Sequence, residues 1–126
     1  MKLRIQGDSL RLRVSRSELV RLIKTGRIEE TLHFGVEKEL TLTYALEHAE
    51  IAEELSLRAC PQSFTVILST ASAHRWAQED EVGLSRDLKL GDHVLALLVQ
   101  KDFACLDRSE AENEDTFSNP MLGATC

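Results

Sequence analysis

The sequence predicts an α+β domain, a curved or barrel-like antiparallel sheet of about seven or eight strands carrying two helices. Three observations predict it. Short segments of apolar/polar alternation recur along the chain, separated by turn residues. Two stretches, after Ser15 and after Ser69, carry the i, i+3, i+4 apolar spacing of a helix. The strand pattern around the first of these returns around the second, as a ββαββ duplication with halves 1–50 and 55–104 would give.

Leu3 and Ile5 alternate with Lys2, Arg4 and Gln6; Gly7-Asp8 supplies a turn, and Leu10, Leu12 and Val14 alternate with Arg11 and Arg13. This hairpin has one apolar and one basic face. Ser15 is placed to cap a helix from about Arg16 to Thr25, with Glu18 at N3 completing a capping box and Gly26 suited to the left-handed residue that closes it. Ile28, Glu30, Leu32 and Phe34 then lie on one side of a strand, opposite Glu29, Thr31 and His33. A turn near Gly35 to Lys38 leads to Leu40, Leu42, Tyr44 and Leu46. Residues 45–54 are rich in strong helix formers and read as a linker with a turn or two of helix.

The second half opens with Leu55, Leu57 and Ala59 and turns at Cys60-Pro61-Gln62, where proline is barred from a central strand. Phe64, Val66 and Leu68 precede a helix from about Ala71 to Asp80, with Trp76 among its inward residues. Val82 and Leu84 start a short strand, and Leu90-Gly91-Asp92 makes the next turn. The continuous apolar run Val94 to Val99 is expected at the centre of the sheet, covered on both faces, and extends through Lys101 and Phe103 to Cys105. This completes one domain over residues 1–106. Residues 107–126 lose periodicity and become acidic; they bury too little to offset ordering and are expected to form a flexible tail, whose Phe117, Met121 and Leu122 are able to dock on the body or on a partner.

Aligned with Ser15 on Ser69, the halves share Leu3/Leu57, Arg4/Arg58, Ser9/Ser63, Ser15/Ser69 and Arg21/Arg75, an identity near chance. The hydrophobic pattern is what repeats. Leu10, Leu12 and Val14 fall on Phe64, Val66 and Leu68, and the helical triplet Leu19, Leu22, Ile23 falls on Ala73, Trp76, Ala77.

At 126 residues, 43% hydrophobic and 29% charged, the chain has the size and composition of a single globular domain. It holds no apolar run long enough to span a bilayer and opens without a signal-peptide pattern, so the cytoplasm is the expected location. The three cysteines, Cys60, Cys105 and Cys126, are widely spaced, with no C-x-x-C pair and no histidine at ligand spacing, so neither a disulfide framework nor a metal site is expected, and no cofactor motif is present. A net charge of -6 argues against general nucleic-acid binding. The charge is nevertheless uneven: Met1 to Arg27 holds eight Lys and Arg against Asp8 and Glu18, whereas the stretch containing Asp107, Glu110, Glu112, Glu114 and Asp115 is acidic.

The opening Lys2 to Arg13, the Thr31-Leu32-His33-Phe34-Gly35 stretch, Leu42-Thr43-Tyr44, Lys101 to Leu106 and Glu114 to Pro120 together resemble an uncharacterised family of small bacterial proteins catalogued as a domain of unknown function. The resemblance covers almost the whole chain. It implies no activity and assigns no catalytic residue.

Candidate sites therefore come from the residues themselves. Lys2, Arg4, Arg11 and Arg13 alternate opposite the apolar side of one hairpin, so they converge on one surface, where they repel unless carboxylates or an anionic ligand lie between them. With His33 as a further candidate, this basic face points to a non-catalytic binding or accessory module for an anionic small molecule or an acidic protein partner. A solvated face neutralised by Glu29, Glu39 or the acidic tail is the plain alternative. The enzymatic alternative is a phosphate-processing protein, acting on polyphosphate or nucleotide, with the cations inside a barrel; His33 and Cys105 are a second constellation, a nucleophile pair if the fold joins them. Open edge strands make a homodimer the expected assembly.

Overall fold

A computed structural model of the chain describes residues 1–78, 80–103, 115 and 117. The first hairpin forms as its alternation dictates. Strands β1 (Lys2–Ile5) and β2 (Ser9–Val14) pair antiparallel about a turn in which Gly7 adopts φ 54° and Gln6 and Ser9 exchange backbone hydrogen bonds of 3.1 and 3.0 Å. Helix α1 (Arg16–Thr25) begins at the expected capping box: the Glu18 N–H donates to Ser15 Oγ (3.3 Å) while the Ser15 N–H donates to Glu18 Oε1 (2.9 Å). It ends at Gly26, left-handed at φ 85°, whose N–H donates to the Leu22 carbonyl.

The remaining elements are β3 (Arg27–His33), β4 (Thr41–Ala49), β5 (Leu55–Cys60), β6 (Ser63–Ser69), α2 (Thr70–Gln78), β7 (Gly83–Leu90) and β8 (His93–Lys101). Ser69 caps α2 as Ser15 caps α1, its Oγ accepting from the Ser72 N–H at 3.1 Å. Residues 45–49 belong to β4 and not to a linker. Ala45 and Leu46 are buried and pair with Glu29 and Ile28, so burial and cross-strand pairing override their helical propensity. Strand β3 is less buried than its pattern suggests, since Ile28 alone of its residues is buried and Leu32 stays exposed.

The strands do not form a barrel, nor one antiparallel sheet. They form two four-stranded mixed sheets, ordered β1-β2-β8-β7 and β3-β4-β6-β5, in which the β2–β8 and β4–β6 pairs are parallel. Each helix carries the chain from one sheet to the other, so each half of the sequence gives one hairpin to each sheet, and the inner strands of the two hairpins meet side by side. Among the described residues the outer strand of each hairpin remains an edge, which leaves both sheets open. Under the correspondence β1→β5, β2→β6, α1→α2, β3→β7, β4→β8, one sheet maps onto the other. That is an equivalence of topology.

The inner faces of both sheets and one stripe of each helix enclose one apolar core. Leu12, Val14, Leu97 and Val99 come from the first sheet, Ile28, Leu46, Val66 and Leu68 from the second, and Leu19, Leu22, Ala73 and Trp76 from the helices. Strand β8 is interior to its sheet, flanked by β2 and β7, but it is covered on one face only: Leu97 and Val99 are buried, whereas Ala96, Leu98 and Gln100 on the reverse are half-buried.

Phe117 docks on the body. Its N–H donates to the Asp102 carbonyl (2.9 Å), its ring packs edgewise on Phe103, and the Lys101 ammonium and the Arg16 guanidinium lie 5.4 and 5.8 Å from its centroid. Asp115 meets the start of α1, accepting from the Ser17 N–H (3.1 Å) and the Ser17 hydroxyl. Met121, Leu122, Cys105 and Cys126 lie outside the described residues.

The α1 cap gives a pH-dependent prediction. Burial pushes the Glu18 carboxyl up, but hydrogen bonds from the chain's N-terminal amine and from the Ser15 backbone and hydroxyl outweigh it, so the group sits below its ordinary value. A depressed carboxyl stabilises the fold above its unfolded pKa, and that contribution is lost as pH falls through the folded one. Glu18→Gln should therefore cost about 1 kcal/mol in urea unfolding at neutral pH. The difference from wild type should shrink as pH falls below the ordinary carboxyl range and through the depressed folded value.

Candidate functional site

Side chains alternate across a strand, so a hairpin that buries Leu12 and Val14 turns Arg11 and Arg13 outward. The register places Lys2 opposite Arg13 and Arg4 opposite Arg11. All four expected cations thus share the outer face of the first sheet. Opposed residues have β-carbons about 5 Å apart, close enough for like charges to destabilise the pair.

Neutralisation of this face is partial. Lys2 Nζ pairs with Asp102 Oδ2 at 2.9 Å, and that carboxylate is buried. Among the described residues, Arg4, Arg11 and Arg13 have no ion-pair partner. Burial, then the charges of Arg13 and Arg4, pull the Arg11 guanidinium below its ordinary pKa. Its Nε is buried without a hydrogen-bond acceptor, and no other described side-chain nitrogen or oxygen is left so. Arg11 also lines a cavity of about 190 Å³, walled on the β1–β2 side by Arg4, Gln6, Ser9 and Leu10 as well and on the β8 side by Ala96 and Leu98.

The outer face of the second sheet is a built-in comparison. There Arg27 bonds Glu47 at 2.8 Å and Glu29 at 3.0 Å, and Arg58 reaches the same Glu47 oxygen at 3.3 Å. Burial pushes the Glu47 carboxyl up, but the two guanidinium groups more than reverse this and hold it below the ordinary range. In the topological correspondence the place of Glu47, beside Ile67 of β6, is taken in the first sheet by Gln100, beside Arg13 of β2. An acid that bridges two arginines on one sheet is a neutral amide on the other.

His33 is not brought to the basic face. It stands exposed at the end of β3, in the other sheet, opposite Thr41. Its proposed partner Cys105 lies outside the described residues, and Glu29, expected as a counter-charge, is engaged by Arg27. The phosphate-processing alternative required cations inside a barrel; here they lie outside an open sheet, on the side away from the core. No group of three His, Cys, Asp or Glu able to hold a metal occurs among the described residues. Sequence reasoning missed His48, whose Nδ1 lies 3.1 Å from Thr70 Oγ1 and whose ring meets that of His74 edgewise. It also missed a second cavity of about 260 Å³ between the helices, lined by Leu19, Val20, Ile23, Ala77 and Phe117, with Arg16, Lys24 and His74 also in its wall. The amphipathic spacing of both helices could have pointed to that groove.

The chemistry available at the first cavity is recognition. Guanidinium groups stay protonated, supply no base, and present forked donors that match carboxylate or phosphate oxygens. Among the described residues, no helix is long and apolar enough to cross a membrane. Comparison with known proteins adds one finding: the sequence profile of a family whose members have no assigned function matches residues 1–121. No curated protein matches the chain, and no solved structure does.

Proposed function

The chain belongs to that family, DUF7009, a family of unknown function, and from the geometry alone we propose that it is a non-catalytic binding module, capturing an anionic ligand on the outer face of the β1–β2 ribbon through Arg4 and Arg11. One observation carries this reading: two neighbouring arginines, Arg4 and Arg11, line one cavity, and among the described residues neither has an ion-pair partner and the Arg11 Nε has no acceptor. A buried unpaired donor costs about 1–3 kcal/mol, an expense that folds seldom retain without a use. An anion lying between Arg4 and Arg11 relieves their repulsion and accepts hydrogen bonds from their terminal guanidinium nitrogens. At about 190 Å³ the cavity is smaller than the roughly 300–1,000 Å³ of a drug-sized site, so it suits a single anionic group better than a whole nucleotide. The same reading takes the two halves as a duplicated ββαββ unit, supported by their common strand order and by the paired Ser15 and Ser69 caps.

The test is calorimetric titration with inorganic phosphate, pyrophosphate and acetate. At least one should bind saturably, and Arg4→Gln and Arg11→Gln should each weaken binding about ten- to a hundredfold, the worth of one charged hydrogen bond, with unchanged circular dichroism. Absence of binding by all three anions, or wild-type affinity in both variants, contradicts the proposal.

A further inference from the structure

Resting on the anion-binding reading above, we infer that the ligand of this cavity is a carboxylate on a short apolar arm, the carboxylate held by Arg4 and Arg11 and the arm lying over Ala96 and Leu98 of β8. The cavity has two chemically distinct sides. The β1–β2 side carries the guanidinium groups together with Gln6, Ser9 and Leu10, while the adjoining β8 side is wholly apolar, with Ala96 beside Ser9 and Leu98 beside Arg11 in the strand register. Val94, 49% exposed, continues that stripe along the same face. A sheet face turned to water normally carries polar residues at these positions. Three apolar residues in alternation on the outer side of β8 are what an amphiphilic ligand requires and a free phosphate does not. A phosphate seated on the two arginines has no apolar group to set against Ala96 and Leu98, and any of its charged oxygens turned to that side would lose water where the wall offers no donor. A planar carboxylate uses both oxygens on the guanidinium forks and turns only carbon toward the apolar side.

The chain contains an internal precedent. On the outer face of the second sheet, the Glu47 carboxylate, on its two-methylene arm, lies between Arg27 and Arg58. Arg58 of β5 occupies the place that Arg4 of β1 holds in the first sheet, and Gln100 stands where Glu47 would be. The correspondence ends there, since Arg11 takes the place of Thr65 and Gln100 lies outside the cavity wall; the precedent is one of chemistry, a carboxylate held by arginines on an outer sheet face.

The experiment is calorimetric titration of the full chain with acetate, butyrate and hexanoate, with hexanamide and inorganic phosphate as controls. Affinity should rise about two- to fourfold for each methylene that contacts the β8 stripe, the upper value being that of complete burial. Hexanamide should not bind, hexanoate should bind more tightly than phosphate, and Leu98→Ser, on the outer face away from the core, should flatten the dependence on chain length. Phosphate binding more tightly than hexanoate, a flat chain-length series in the wild-type protein, or an undiminished series in Leu98→Ser overturns the inference and leaves the anion-binding reading standing. Failure of every anion to bind overturns both.

Discussion

Replacing Trp76 by alanine is expected to lower the free energy of unfolding by about 3–5 kcal/mol, a large part of the roughly 5–15 kcal/mol that holds a domain together. Trp76 is 0% exposed and is the largest fully buried side chain among the described residues. It belongs to the core cluster that joins residues of both sheets and both helices, so its removal opens a cavity within that core. Its indole N–H donates to the Val82 carbonyl at 3.3 Å, and this tie from α2 to the approach of β7 is lost as well. Trp76→Phe keeps most of the volume but leaves that carbonyl without its donor, and should cost about 1–2 kcal/mol. Urea unfolding followed by far-ultraviolet circular dichroism measures both. A loss below about 1 kcal/mol for the alanine variant would mean that the core is not centred on Trp76.

The second large effect has the opposite sign. Arg11→Met is expected to raise stability by about 1 kcal/mol while abolishing anion binding, because it removes an unpaired buried donor and one member of a repelling cluster while keeping an apolar stem of similar length. Burial and the neighbouring Arg13 and Arg4 already disfavour the charged form of Arg11. Stability given up at a binding site in this way is recovered by the ligand through mass action. The ranking should therefore reverse: without ligand the methionine variant unfolds at higher urea than wild type, and in excess butyrate the wild type overtakes it. Arg27→Met supplies the contrast, since it strips Glu47 and Glu29 of a partner and should destabilise by about 1 kcal/mol. Equal destabilisation by both substitutions would show that Arg11 is an ordinary structural arginine.

Hairpins, helix starts and much of the core could be read from the residues, because each depends on local periodicity or a cap. The Ser15–Glu18 box, Gly26, Trp76 and the basic side of the first ribbon all stand where their spacing puts them. Strand direction could not be read in this way. Alternation of Leu10, Leu12 and Val14 is the same whether β8 runs parallel or antiparallel to β2, so the mixed sheets were hidden behind an antiparallel expectation. Propensity misled at 45–49, where Ala45 and Leu46 are good helix formers that the core draws into β4. The run Val94 to Val99 concealed the most useful feature. A continuous apolar strand reads as covered on both sides, yet here Val94, Ala96 and Leu98 face outward beside the arginines. Charge spacing therefore located half of the candidate site, and the parallel neighbour that completes it required the fold. His33 shares neither sheet nor face with that site.

The most direct measurement is the Arg11 Nε–H resonance in a nitrogen-resolved proton NMR titration with butyrate. The Arg11 signal should shift saturably, together with that of Arg4, while those of Arg21 and Arg86, which lie away from the cavity, stay in place. An Arg11 signal unmoved at butyrate concentrations that saturate no other site, or one that moves in step with every arginine of the protein, would contradict the account.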